Sequence, residues 1–373
     1  MRILHILNHT RRLNGHVHAA VDLACAQVKL GHDVCIASGG GDFDELLHRH
    51  GVETVFVDHQ RTVRRLSVSA VALHRHVKIW KADIVHAHMM TSAVLAWPIC
   101  KIGSIPMVTT VHNAFEKSAI LMGLGTRVIA VSGAVGTSMH QRGIAESKLR
   151  IVLNGTIGSS RFDRRDLRPV KIAGPSILFV GGLHPRKGLA DLFEAFRLIH
   201  GDFPQARLYV VGDGPCAEDY RQSVAQMACA SAVSFLGSRN DPYPFMAAAD
   251  IFVLPSKADP APLVLSEARE ARCAVVGTDV DGIPELLEWG LAGILVPPSD
   301  PQALAAACCE LLAEPMRLET WKNNSQYHID HLTIERVAGQ TMDVYASALA
   351  ALRSSKRRRR RDPTTEKIGE PET

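Results

Sequence analysis

The chain has 373 residues, 46% hydrophobic and 21% charged, too long for one ordinary core and the composition of a soluble protein of two domains. Its net charge is +4, but from Lys356 onward seven basic and four acidic residues give +3, leaving +1 for everything before them. That near-neutral body, with 5% aromatic residues and no aromatic run on which bases could stack, excludes nucleic acid as a partner.

Short apolar runs alternate with helical stretches along the chain, the pattern of parallel sheets covered by helices. The opening, MRILHILNHT, has an apolar stretch too short for the core of a signal peptide, and no later segment holds eighteen apolar residues. A cytoplasmic protein is therefore expected, with any membrane contact peripheral. In the first half the strands are read as RILHIL, DVCIAS, TVFVD, DIVHAH, PMVTTVH and RVIAVS, with a helix HAAVDLACAQVKLGH stopped at Gly31. Residues 61 to 81, RTVRRLSVSAVALHRHVKIWK, form a helix with two readings: a surface helix whose apolar side joins the core, or a basic amphipathic helix resting on a membrane.

Residues 154 to 175 are rich in Gly, Ser, Arg and Pro and lack apolar periodicity, as a linker would. Domains are accordingly expected at 1–168 and 169–352, each a doubly wound, Rossmann-like α/β unit, with the last helix packing back on the first. The second half repeats the alternation with SILFVGG, ARLYVVGDG, VSFLG, IFVLP, CAVVGT and GILVPP, and with helices such as LADLFEAFRLIHGDF. Eight cysteines without a C-x-x-C pair, two of them adjacent in ALAAACCELL, read as small buried hydrophobes in a reducing compartment. A long helix, TIERVAGQTMDVYASALAALRSS, ends the fold, and residues 353–373 are expected to be a disordered basic tail, with an anionic membrane surface as the alternative to plain solvation.

Two open sheets facing each other leave one cleft between their strand ends, the default ligand site. In SILFVGGLHPRKG, Gly181 and Gly182 allow close backbone approach, and Arg186 with Lys187 precede a helix N-terminus, which suits a phosphate as well as it suits two solvated bases. In VGDGPCA, Gly212, Gly214 and Ala217 match the start of a dinucleotide fingerprint, but no acid ends the next strand, so the segment reads mainly as a tight turn. An NAD-dependent oxidoreductase is the rival this motif prompts. Asn14 and Gly15 lead into a helix; His86, His88, His112 and Asn113 stand at strand ends, where side chains are expected to enter the cleft; His112 is the histidine favoured to bond a polar ligand. The D-x-D pairs Asp42/Asp44 and Asp279/Asp281 sit among glycines, where turn formation accounts for them, and no zinc spacing is present, so no metal is expected. The remaining puzzle is DPAPLVLSEARE, which places Asp259 at a strand end and Glu267 eight residues on, inside the following helix.

The run of NGHVHAAVDLA, GHDV, DIVHAH, VTTVHN, VLNG, VGGLHPRKG, VGDGP, ADIFVLPS, the acid pair, GIPELL and GILVPPSDPQAL resembles, in order and over residues 1 to 350, the retaining glycosyltransferases of family 4, which have the GT-B fold. The resemblance implies sugar transfer from a UDP- or GDP-linked donor, with no further cofactor, to a glycan or lipid-linked acceptor in lipopolysaccharide or exopolysaccharide synthesis, at the inner face of the plasma membrane. It implies that Glu267 accepts from the ribose hydroxyls, that Asp259 faces the transferred sugar or the diphosphate, and that Lys187 and Arg186 neutralise the leaving diphosphate. It further implies donor contacts from Gly15, Gly181, Arg239 and the amides of Leu263 and Val264, a sugar contact from His112, and acceptor contacts from Asn14, His16 and Asn113. Three positions depart from the family: Gly182 where Arg is common, Asp259 where Glu is usual, and Pro260, Ala261 and Pro262 in place of Gly-Phe-Gly. These departures raise a second alternative, a nucleotide-sugar-binding protein with weakened turnover.

Overall fold

The computed structural model describes residues 1–12, 14–58, 63–162 and 169–361. The first sheet contains β1 (Arg2–Ile6), β2 (Asp33–Ser38), β3 (Glu53–Phe56), β4 (Ile84–Ala87), β5 (Met107–Val111), β6 (Arg127–Ala130) and β7 (Leu149–Ile151), in the order β3-β2-β1-β4-β5-β6-β7. The second contains β8 (Ser176–Val180), β9 (Arg207–Val211), β10 (Val233–Gly237), β11 (Ile251–Leu254), β12 (Ala274–Thr278) and β13 (Ile294–Val296), in the order β10-β9-β8-β11-β12-β13. All pairs are parallel. The strand order reverses between β1 and β4 and again between β8 and β11, so each sheet has a switch point whose loops open on a crevice. This is the GT-B arrangement of two facing α/β sheets.

Strands covered by helices on both faces need apolar residues throughout rather than alternation. Thus β5, β8, β11 and β12 are buried along their whole length, while β3 and β10, at sheet edges, are not. The helix Leu189–Asp202 lays Leu192, Phe196 and Ile199 against the second sheet, all fully buried, each contributing about 1.5–3 kcal/mol of apolar transfer. Strand β7 escapes sequence reading because its three residues centre on Arg150. All eight cysteines are free, Cys308 buried and Cys309 half-buried.

The chain crosses back near its end. Ile157 N–H donates to the Leu332 carbonyl at 3.0 Å and Ile334 N–H to the Ile157 carbonyl at 2.9 Å. Gly155 makes the crossing possible, since a Cβ there would lie 2.5 Å from the Leu332 oxygen. The last helix, Ile334–Arg361, then packs on the helix Gly15–Lys29 and on β5 and β6, with Tyr345 fully buried. It corrects the expected tail: the helix continues through the basic run Lys356 to Arg361, because Lys and Arg are good helix formers that prolong a helix already nucleated by its packed stripe. The rest of the expected tail, 362–373, lies outside the described residues. The helix Val63–Trp80 buries Leu73 and Val77 but leaves Val68, Val71 and Ile79 about two-thirds exposed, so only part of its apolar surface joins the core. Among the described residues no helix is long and apolar enough to cross a membrane.

Candidate functional site

The loops after β1, β4, β5, β8, β9, β10 and β11 enclose one cleft of about 590 Å³, within the range of small-molecule sites. Asn14, Gly15, His16, His112, Asn113, Gly181, Arg186, Lys187, Arg239, Asp259, Leu263, Val264 and Glu267 all line it. Residues separated by up to 253 positions are thus gathered by the two switch points (Asn14 and Glu267).

On the second sheet's side, β11 ends in a loop whose Asp259 is buried with its Oδ2 2.5 Å from Lys187 Nζ, 3.2 Å from Ser256 Oγ, and with Arg186 Nη1 3.9 Å from Oδ1. The short side chain of Asp259 thus stands between two cations, each within ion-pair distance of one of its oxygens. The loop is tied down from several directions: Asp259 N–H donates to Asp281 Oδ2 at 2.7 Å, Ser132 Oγ to the Pro260 carbonyl at 2.6 Å, and Asn154 Nδ2 to the Ala261 carbonyl at 2.9 Å. Burial raises the Asp281 pKa from its ordinary value. Asp281 therefore serves the loop, and Asp42 and Asp44 accept from the Arg12 and Gly41 amides and the Thr10 hydroxyl, as turn-forming acids do.

Pro262 caps the helix Leu263–Glu270 without a side-chain acceptor, so the first amides of that helix have no partner within it. Glu267 lies one turn in and is buried. At the other end Arg269, fully buried, donates to the carbonyls of Leu286, Ser325 and Tyr327 and pins the helix; desolvation lowers its pKa to about 10. Gly212 and Gly214 form the tight turn their spacing suggests: a Cβ on Gly212 would sit 1.9 Å from the Gly181 carbonyl oxygen, at a φ of +142°. Gly182 is different, because a Cβ there meets nothing nearer than the Asp213 oxygen at 4.0 Å.

The first sheet's side is lined by imidazoles. His112 bonds through Nε2 to His88 Nδ1 at 3.1 Å, and its own buried Nδ1 has no partner among the described residues. Desolvation pushes the pKa of His112 down to about 3 and that of His16 to about 4. Asn113 commits its Oδ1 to the Phe115 amide at 2.7 Å, leaving only its amide nitrogen for a ligand. His86 departs from expectation. It is fully buried and bonds Tyr345 and Thr110 rather than entering the cleft, because β4 directs it under the last helix. His5, His86 and His88 bring ring nitrogens within 4.8 Å of one another, as metal ligands would, but all six nitrogens are already hydrogen-bonded. Glu288, His328 and His331 form a second such group at the surface.

The residue that sequence reading missed is Arg161. Buried between the halves, its Nε lies 2.7 Å from Asp22 Oδ1 and its Nη2 3.3 Å from Glu267 Oε1, with Thr156 Oγ1 at 2.8 Å. Burial pulls its pKa down, but Asp22 and Glu267 outweigh that and hold it above the ordinary value. Arg161 Nη1 also donates to His18 Nδ1 at 3.1 Å; since a guanidinium only donates, His18, a cleft-lining residue, carries its proton on a buried Nε2 that has no partner among the described residues. Nothing in GSSRF separates Arg161 from the other arginines of that linker, and only its position between two distant acids gives it a role.

Residues 13–156 match the model of Glycosyltransferase Family 4, and residues 174–314 that of Glycosyl transferases group 1. The chain is 30% identical over 278 residues to the phosphatidyl-myo-inositol mannosyltransferase of Mycobacterium tuberculosis, covering 70% of this chain and 72% of that one. It is 28% identical over 319 residues to the protein of the same name from Mycolicibacterium smegmatis, covering 81% of each. Among solved structures, Anabaena HepE in complex with UDP superimposes with a TM-score of 0.79 at 21% identity, over 93% of this chain and all of that one. The oxidoreductase reading of VGDGPCA is overturned by these matches. Two facing Rossmann-like sheets, matched one by each family model, make this chain a member of the group 1, family 4 glycosyltransferases with the GT-B fold.

Proposed function

We propose that the protein moves a hexose from a nucleotide-diphosphate sugar to a glycan or lipid-linked acceptor, with retention and without a metal, at the cytoplasmic face of the membrane during lipopolysaccharide or exopolysaccharide synthesis. The observation that carries this reading is the set of Lys187, Arg186 and the first amides of the helix Leu263–Glu270 around one side of the cleft, with Glu267 buried a turn further in. Two cations and a helix N-terminus suit a diphosphate; a buried carboxylate suits a pair of ribose hydroxyls. In this reading Lys187 and Arg186 stabilise the negative charge that grows on the departing diphosphate, a role elsewhere given to a divalent ion. Glu267 orients the ribose, Arg239 and Gly181 complete the donor side, and Asp259 keeps the Lys187 ammonium aimed inward. His112 and Gly15 border the transferred sugar; Asn14, His16 and Asn113 border the acceptor. The departing phosphate oxygen takes the proton of the attacking hydroxyl, so no enzymic nucleophile is required.

The solved Anabaena relative holds UDP in a complex of the same fold, which supports a nucleotide donor here. A membrane-linked acceptor is supported by the helix Val63–Trp80, where Val68, Val71 and Ile79 stand exposed beside Arg75 and Lys78. The test is thermal stabilisation by UDP, GDP, ADP, their sugars and NAD. One nucleotide family at a hundred times its dissociation constant adds about 2.7 kcal/mol of stability. Lys187→Ala abolishes that gain and lowers transfer by about 10²–10³. No response to any nucleotide sugar sinks the donor site, whereas stabilisation without transfer to any glycan establishes the binding protein in its place.

A further inference from the structure

Behind the imidazole wall lies a buried hydrogen-bonded network that begins at one amide. Gln27, on the helix Gly15–Lys29, is fully buried and has two branches. Its Oε1 lies 2.7 Å from His5 Nε2; His5 Nδ1 lies 2.9 Å from His88 Nε2; His88 Nδ1 lies 3.1 Å from His112 Nε2. Its Nε2 lies 3.2 Å from the Tyr345 hydroxyl, which is 2.7 Å from His86 Nδ1, and His86 Nε2 is 2.7 Å from Thr110 Oγ1. Thr110 and His112 stand two residues apart on β5 and its end, and both line the cleft.

A neutral imidazole has one donor nitrogen and one acceptor nitrogen, so a row of them transmits a direction. These rings are neutral: burial pushes the pKa of His5 down to about 4 and that of His112 to about 3, and lowers His86 and His88 well below the ordinary value. The direction is decided at Gln27. Its nitrogen also lies 3.8 Å from the Met342 sulfur, a group that only accepts, which fixes the amide with Nε2 toward Tyr345 and Oε1 toward His5. From Oε1 the branch then reads as Nε2–H on His5, on His88 and on His112 in turn, leaving Nδ1 of His112 a bare acceptor. From Nε2 the other branch reads as an amide donating to Tyr345, the phenol donating to His86 Nδ1, and His86 Nε2–H donating to Thr110, whose own proton is left to donate.

We propose that Gln27 is a positioning residue that sets opposite hydrogen-bond polarity at two points of the cleft wall, an acceptor at His112 Nδ1 and a donor at the Thr110 hydroxyl. The unpartnered Nδ1 of a residue that lines the cleft requires a hydrogen-bond donor from the ligand side. A sugar meets both demands, since each hydroxyl donates once and accepts, and in this respect the inference rests on the function proposed above. Tyr345 gives the last helix a part in the same wall.

The test reads tautomers directly. The full chain, labelled with ¹⁵N-histidine and without ligand, is examined at pH 8 by ring-nitrogen chemical shifts, with His112→Gln and His86→Gln identifying the two rings. The wild type is expected to show His112 and His86 both protonated on Nε2. Gln27→Leu removes the acceptor that holds the His5 proton and the donor that turns the Tyr345 hydroxyl, so His112 and His86 are both expected to lose their single tautomer. Tyr345→Phe, a milder change, is expected to cost His86 its single tautomer and leave His112 unaltered. A wild-type His112 protonated on Nδ1, a Gln27→Leu protein in which both rings keep their tautomers, or a Tyr345→Phe protein in which His112 changes with His86, overturns the relay. A correct tautomer pattern in a protein that no nucleotide sugar stabilises leaves the relay standing and removes the sugar reading.

Discussion

The cleft wall supplied by the second sheet carries its polarity as full charges, and the wall supplied by the first carries it as neutral rings. Lys187, Arg186, Asp259 and Glu267 stand on one side; His112, His88, His16 and His18 stand on the other. The charged side is held by short ion pairs and loop anchors, the neutral side by a buried relay that ends at Gln27 and Tyr345. The difference follows from what each surface can support. Charges survive burial only in pairs, so the second wall comes with its counter-ions built in. Imidazoles at a buried sheet end lose their charge instead and keep a fixed donor and acceptor. A diphosphate suits the first kind of wall and a sugar the second.

The sharpest way to break this division is at the residue that joins the two walls. Arg161→Met leaves the carboxylates of Asp22 and Glu267 buried without their cation, and a loss of about 3–5 kcal/mol is expected in denaturant unfolding. Arg161→Lys restores the charge but not the fork and should recover only part of it. If Arg161→Met is as stable as the wild type, the ion bridge does not join the walls.

The neutral wall predicts a direction with pH. His5, His16 and His112 titrate below an unfolded histidine, near 4, 4 and 3, so between those values and about 6.5 the unfolded chain binds more protons than the folded one. Their contribution is present above pH 6.5 and is lost as pH falls toward 4, by about 1.4 kcal/mol for each pH unit by which a ring's titration is lowered. Urea unfolding at pH 7.5, 5.5 and 4.5 should show it, with a smaller fall in His112→Gln. Equal stability at pH 7.5 and 5.5 would contradict the neutral wall.

The smallest change sharpens the charged side. Gly182→Arg adds a cation at the open place beside the Asp213 carbonyl, and nucleotide affinity is expected to rise several-fold, by about 1 kcal/mol, with stability within about 0.5 kcal/mol of the wild type. Titration of the nucleotide followed by fluorescence or calorimetry measures it; unchanged or weaker affinity means that position 182 does not face the phosphates.

Much of this was readable along the chain. Apolar runs such as SILFV and IFVL, short and bounded by Gly or Pro, read as strands buried on both faces, and the glycine turns after β8 and β9 mark where backbones meet closely. Local order therefore announced two parallel sheets, and the switch-point rule then placed Lys187, Asp259, Glu267 and His112 at one crevice. The tail was misread because a like-charged run argues for solvation, whereas a helix already anchored by Tyr345 carries on through it. His86 was misread because a strand gives its end residues two faces, and which one meets the cleft depends on the helix laid across the other. Arg161, Gln27 and Tyr345 lay beyond sequence reading altogether. Their partners are 139, 106, 22 and 259 residues away (Arg161 to Asp22 and to Glu267, Gln27 to His5, Tyr345 to His86). The sequence by itself determined the fold class, the family and the charged loop residues, because periodicity, turn chemistry and short motifs act over a few residues. Only the tertiary structure decided which buried groups are paired and which way their protons point, because hydrogen bonds and ion pairs in a low-dielectric interior depend on ångström separations between elements far apart in the chain.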